Sequence, residues 1–190
     1  MLYPIISQFN WVDILIIICI LRMCYVGLKC GVAVEVFKTI NTLVCCFVTL
    51  HFYSAIASLI CSKLSALPIE AAKIFSYILL CFIITIIFRI LREGFFAMMR
   101  IESITNISKI SGAVLGSLRG IIIGGLIVFG LCISTVRYVA MSAKSSFLGS
   151  KFVVIPIKIY ESTFWGAVHK FSVDQEFNAD VPKALNAEDK

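Results

Sequence analysis

The residues that could do chemistry in this sequence are few, and they sit in apolar surroundings. Arg119, Glu35, Arg22, Asp13 and His51 are ionisable groups within or at the edges of long hydrophobic runs. Groups so placed mark ion pathways, proton relays or charges that hold helices together. Asp13 and Arg22 lie nine residues apart, on opposite faces of one helix, and cannot neutralise each other. His51 is the one histidine in its run, which suits a hydrogen-bonded packing residue better than a relay. Eight cysteines are spread through the apolar stretches with no C-x-x-C pair. Metal-ligand spacing is therefore missing, and a buried cysteine packs as a small hydrophobe. The sequence has no H-E-x-x-H, no nucleophile elbow, no phosphate-binding loop and no paired carboxylates within one segment. Expected, then, are no catalytic residue, no metal and no cofactor, and a chain that is not an enzyme.

The elements that must position these groups follow from composition. Of 190 residues, 60% are hydrophobic and only 15% charged, against roughly 25% charged in soluble domains. A soluble core cannot absorb that much apolar surface. Uncharged runs of about 20 residues, enough to cross hydrocarbon, recur along the chain. The net charge of +6 suits basic cytoplasmic loops beside anionic lipid, so no nucleic-acid partner is expected. Glycine recurs at Gly112, Gly116, Gly120 and Gly124, and a spacing of four drifts only roughly 40° around a helix, giving one smooth stripe. Each such glycine costs roughly 0.8–1.0 kcal/mol in a water-exposed helix. In a bilayer small residues at this spacing let two helices approach closely, so the stripe reads as a packing seam with Arg119 inside it.

Met1 to Asn10 lacks the basic start of a secretory signal, and the first apolar run is expected to be retained. Spans are expected at about 11–28, 36–62, 71–91 and 112–136. Gly27, Lys29 and Gly31 read as a tight turn between the first two helices, and Glu35 and Lys38 can pair at the start of the second. The stretch from Arg92 to Lys109, with Phe95 and Phe96, suits either an interfacial segment or a frayed helix end. If the fourth span is Gly120 to Val136, Arg119 is interfacial. If it starts near Ile110, Arg119 is buried and Glu35 is its natural counter-ion. Beyond Arg137, Pro156 breaks any helix begun before it, leaving two short interfacial segments and no fifth span. From Asp174 the polar composition reads as disorder. The expected fold is all-α: a polytopic four-helix membrane domain over 1–142 with glycine-rich packing in helix four, then interfacial segments and a polar tail over 143–190.

The order of these features resembles the colicin V production protein family. The resemblance is carried by Trp11-Val12-Asp13, by Gly27, Lys29 and Gly31 followed by Glu35, and most strongly by Gly112-x-x-x-Gly116-x-x-Arg119-Gly120. Ser150 and Pro156 match a serine-to-proline stretch more loosely. Where the family often has an acidic-basic pair before the first glycine, this chain has Ser108-Lys109. The resemblance implies a multi-pass protein of the bacterial inner membrane, linked to toxin production or export and to envelope homeostasis. Its partners would be the lipid bilayer, other inner-membrane or secretion proteins, or a second copy. Basic loops on one side place both termini in the periplasm. Two classes of function stay open. One is a scaffold or accessory factor; the other is a small transporter or channel component using Arg119, Glu35, Arg22 and His51 along one pathway.

Overall fold

A helix satisfies its own backbone donors and acceptors, which is why apolar runs of this length take that form in hydrocarbon. The structure of the chain, a computed structural model, describes residues 10–63, 68–98, 106–168, 177, 178, 180 and 181. In order these form α1 (Trp11–Lys63), α2 (Ile69–Met98), α3 (Asn106–Cys132), α4 (Arg137–Ser145), α5 (Phe147–Phe152), α6 (Val154–Thr163) and a π-helical turn, Phe164–Val168. No strand occurs among the described residues. Among the described residues three helices, α1, α2 and α3, are long and apolar enough to cross a membrane, where four spans were expected.

The difference lies at Gly31. Its φ of 73° and ψ of 171° interrupt α1, in a region that is essentially open to glycine alone. Residues 11–30 run antiparallel to α3, with Gly27, Met23, Ile20 and Ile16 beside Gly112, Gly116, Gly120 and Gly124. Residues 32–63 run parallel to α3, from Val32 at Ser108 to Tyr53 at Phe129. One residue thus reverses the chain, and the wider turn expected over Gly27, Lys29 and Gly31 is corrected: Gly27 and Lys29 stay helical. Beyond the break the Val32 N–H, which lacks a partner within its own helix, donates to Ser108 Oγ at 3.1 Å.

Close approach explains the glycines. A Cβ at Gly27 would overlap the Gly112 carbonyl, one at Gly116 the Met23 carbonyl, and one at Gly112 would lie 2.5 Å from Gly27 O. The fit loosens along the seam, and at Gly124 the nearest atom is Ile16 Cγ2 at 3.5 Å. Farther along α3, Tyr53, Tyr77 and Phe129 meet with ring centroids 5.7–6.3 Å apart, and the Tyr77 hydroxyl donates to Leu126 O at 2.7 Å.

Other boundaries also shift. Helix α2 runs to Met98 because Arg89 and Glu93 pair one turn apart at 3.0 Å and Phe95 and Phe96 pack on Phe37. Residues 93–98 therefore continue a helix, and 99–105 lie outside the described residues. Helix α3 spans Asn106–Cys132, earlier than the expected 112–136. Pro156 does not break a helix: it occupies the first turn of α6, where its missing N–H has no helical partner to lose. Three short helices follow α3 in place of two segments, and Val153, Ile157 and Tyr160 bury themselves against the bundle. The disorder expected from Asp174 is corrected at four residues. Phe177 stacks on Tyr160, Asn178 Nδ2 donates to Leu50 O at 2.8 Å, Asp180 pairs with Lys73 at 2.7 Å, and Val181 is fully buried. The remaining tail residues lie outside the described set.

Candidate functional site: a buried carboxylate between two cations

Glu35 lies one turn after the Gly31 break, and Arg119 lies on α3 between Gly116 and Gly120. The glycine seam brings the 11–30 arm close to α3, so the arm, the break and Arg119 meet at one end of the bundle. Arg119 Nη1 is 2.9 Å from Glu35 Oε2, with side-chain exposures of 6% and 0%. Lys38, three residues on, donates to Glu35 Oε1 at 2.8 Å. Arg119 Nη2 donates to Met23 Sδ at 3.1 Å, and Lys38 Nζ to Cys30 Sγ at 3.2 Å. The Arg119–Glu35 approach is an ionic contact without aligned hydrogen-bond geometry, and Arg119 Nε–H is buried with no acceptor. One carboxylate therefore serves two cations. Removing one partner from a buried pair costs about 3–5 kcal/mol, because the other charge stays buried.

The other ionisable groups are used elsewhere. Asp13, fully buried, sits at the opposite end of the 11–30 arm. Its Oδ1 accepts from Ser146 Oγ and from the Leu148 N–H, each at 2.7 Å, and its Oδ2 accepts from the Asn10 N–H at 2.7 Å. It thereby ties the start of α1 to the start of α5, where Ser146 Oγ also accepts from the Gly149 N–H at 2.9 Å. His51 Nδ1 is 3.0 Å from the Tyr160 hydroxyl, inside a ring of Phe47, Phe52 and Phe164. That hydroxyl accepts from the Asn178 N–H at 3.1 Å, which leaves its proton for His51, and burial pushes the Tyr160 phenol above its usual range so that it stays protonated. Arg22 is exposed on the outside of α1.

Of the sequence-derived candidates, Gly27, Gly31, Gly112, Gly116 and Gly120 gather near the Glu35–Arg119 contact, while Gly124 lies a turn beyond it. A groove of about 650 Å³ between the 32–63 arm, α2 and α3 is lined by Arg119 and Lys38 but by neither Arg22 nor His51. This groove thus does not gather the four residues of the transport reading. Among the described residues no three His, Cys, Asp or Glu side chains are placed to hold a metal ion.

Sequence reasoning missed Asp13 as an anchor, and it missed Gly125, whose Cβ would fall 2.7 Å from Pro156 Cδ. A carboxylate in the first turn of an otherwise apolar helix was a signal for the first; nothing local distinguished Gly125. The family model described as colicin V production protein matches residues 12–156 of 190. The chain belongs to the colicin V production protein family. No curated protein and no solved structure matches it. In this colicin V production family member the matched stretch includes the Glu35–Arg119 contact and both sides of the Asp13 anchor. It stops before Tyr160, Asn178 and Asp180. Family and apolar helices together make it an integral membrane protein.

Proposed function

We propose that this protein is a non-enzymatic scaffold or accessory factor of the bacterial inner membrane, serving toxin production or export and envelope upkeep. One observation carries the reading: the buried charges Asp13, Glu35 and Arg119 are each engaged in a contact that joins two elements, and the Asp13 contact lies apart from the Glu35–Arg119 contact. Glu35 and His51 are sixteen residues apart on the same helical arm, about 24 Å at 1.5 Å per residue. His51 does not line the groove that Arg119 and Lys38 share.

Four crossings are supported by the reversal at Gly31. Residues 11–30 and 32–63 are about 30 Å and 48 Å long, and each reaches across roughly 30 Å of hydrocarbon. Close packing at the glycine seam would then hold the first and fourth crossings together. Lys29, Lys38, Arg89 and Arg92 lie toward the Gly31 end, which supports reading that end as cytoplasmic and the termini as periplasmic. Reporter fusions at Lys63 and Lys190 should report a periplasmic location, and cytoplasmic readings at both would reverse the topology. For the activity, Arg119→Leu should lower folded protein and cellular function in proportion. Normal accumulation with loss of a solute flux in proteoliposomes would instead establish the transporter reading.

A further inference from the structure

The groove beside Arg119 is graded from charged to apolar. Helix α2 contributes Ile74, Tyr77, Ile78, Cys81, Thr85 and Arg92, whose spacings keep them on one helical face. From Ile74 to Arg92 that face runs about 27 Å, close to the roughly 30 Å depth of hydrocarbon. Its charged end carries Lys38, Arg92 and Arg119 together with Asn41, and its apolar length faces Ile123, Leu126 and Ile127 of α3.

Charge at that end is unbalanced. Lys38 and Arg119 share the single carboxylate of Glu35. Arg92 has Glu93 at 3.8 Å, but Glu93 is held more closely by Arg89 at 3.0 Å. Two polar atoms are also unsatisfied in complementary ways: Arg119 Nε–H lacks an acceptor and Asn41 Oδ1 lacks a donor, and both are buried. A ligand that fits must bring anionic oxygen for the cations, a hydroxyl for Asn41, and a long apolar tail for the remaining wall. Its volume also suits a small-molecule site, which typically occupies about 300–1,000 Å³.

We propose that this groove holds one anionic glycerophospholipid with a hydroxylated headgroup. The phosphodiester lies among Lys38, Arg92 and Arg119, the headgroup hydroxyl donates to Asn41 Oδ1, and an acyl chain follows the α2 face toward Ile74. This rests on reading the long helices as membrane spans. The excess positive charge selects the headgroup, and the apolar wall separates a lipid from a free anion. Arg92 is the residue to test, because its partial exposure of 30% makes its loss tolerable to folding.

The full-length protein, purified in detergent, is titrated with phosphatidylglycerol and with phosphatidylcholine of identical acyl chains, and retained lipid is counted by native mass spectrometry. Phosphatidylglycerol should be retained about tenfold more tightly, because choline sets a cation of its own against Lys38, Arg92 and Arg119. Arg92→Gln should remove that preference while the thermal unfolding midpoint stays unchanged. Thr85→Trp, which fills the groove from α2, should reduce retention of both lipids. Soluble glycerol phosphate at the same concentration should displace neither. Equal retention of the two lipids, a preference that survives Arg92→Gln, or displacement by glycerol phosphate would overturn the proposal. Release of the protein from membranes by alkaline carbonate would overturn the membrane reading as well, whereas firm retention there with equal lipid binding overturns only the ligand.

Discussion

Two buried carboxylates, Asp13 at the start of the 11–30 arm and Glu35 just past the Gly31 break, support the bundle by different chemistry. Asp13 is surrounded by neutral donors, one hydroxyl and two backbone N–H groups, all at 2.7 Å. Glu35 is surrounded by cations, Lys38 at 2.8 Å and Arg119 at 2.9 Å. Neutral donors leave the Asp13 charge in place but spread it over three fixed bonds, which closes that end of the bundle. At Glu35 the cations outnumber the carboxylate, so that end keeps residual positive charge facing a groove. The Asp13 end is finished without a ligand; the Glu35 end has charge left over.

The largest effect is therefore expected at Glu35. Glu35→Gln strands Arg119 inside the bundle and should cost about 3–5 kcal/mol of stability, read as loss of monodisperse protein in detergent size exclusion. Next comes Gly116→Leu, whose side chain would collide with the Met23 backbone and so shift the thioether that accepts from Arg119. A loss of about 3 kcal/mol is expected, at the upper end for overpacking, against less than about 1.5 kcal/mol for the volume-conserving Leu126→Ile. Equal behaviour of these two variants in a thermal unfolding series would remove the seam from the explanation. Asp13→Asn keeps the shape but has one acceptor oxygen where Asp13 uses two, so at least one of the three hydrogen bonds is lost, and stability should fall by about 2 kcal/mol. If it matched Glu35→Gln, the contrast between neutral and ionic support would be wrong. The smallest effect belongs to the solvent-facing Arg89–Glu93 pair, where side-chain exposures of 72% and 58% make Arg89→Ala worth about 0–1 kcal/mol.

How much of this was legible in the sequence depended on the range of each signal. The glycine stripe announces itself within one helix, and an arginine buried within it demands a counter-charge, so Glu35 could be named beside Arg119 for the case in which the span starts near Ile110. Asp13 gave no comparable clue to its partners, because Ser146 and Leu148 are ordinary residue types more than a hundred positions away. The Gly31 reversal was legible as a turn but not as a single residue, since hydrophobic periodicity continues on both sides of it. Polar composition near the C-terminus read as disorder. Asn178 instead meets the carbonyls of Leu50 and His51, and Asp180 meets Lys73, contacts that only the folded helices create. Pro156 misled for a local reason: its effect depends on whether a helix starts just before it or well before it.

A double-mutant cycle on Glu35 and Arg119 asks whether the two charges act as one structural unit. Glu35→Gln, Arg119→Gln and the double variant are unfolded in detergent and their free energies compared with the parent. Glu35→Gln should cost about 3–5 kcal/mol and Arg119→Gln less, because Lys38 still pairs with Glu35; the double variant should cost less than their sum by about 2–3 kcal/mol, because Arg119 is no longer left stranded. Costs that add to within about 0.5 kcal/mol would contradict the ion pair as the support of this end of the bundle.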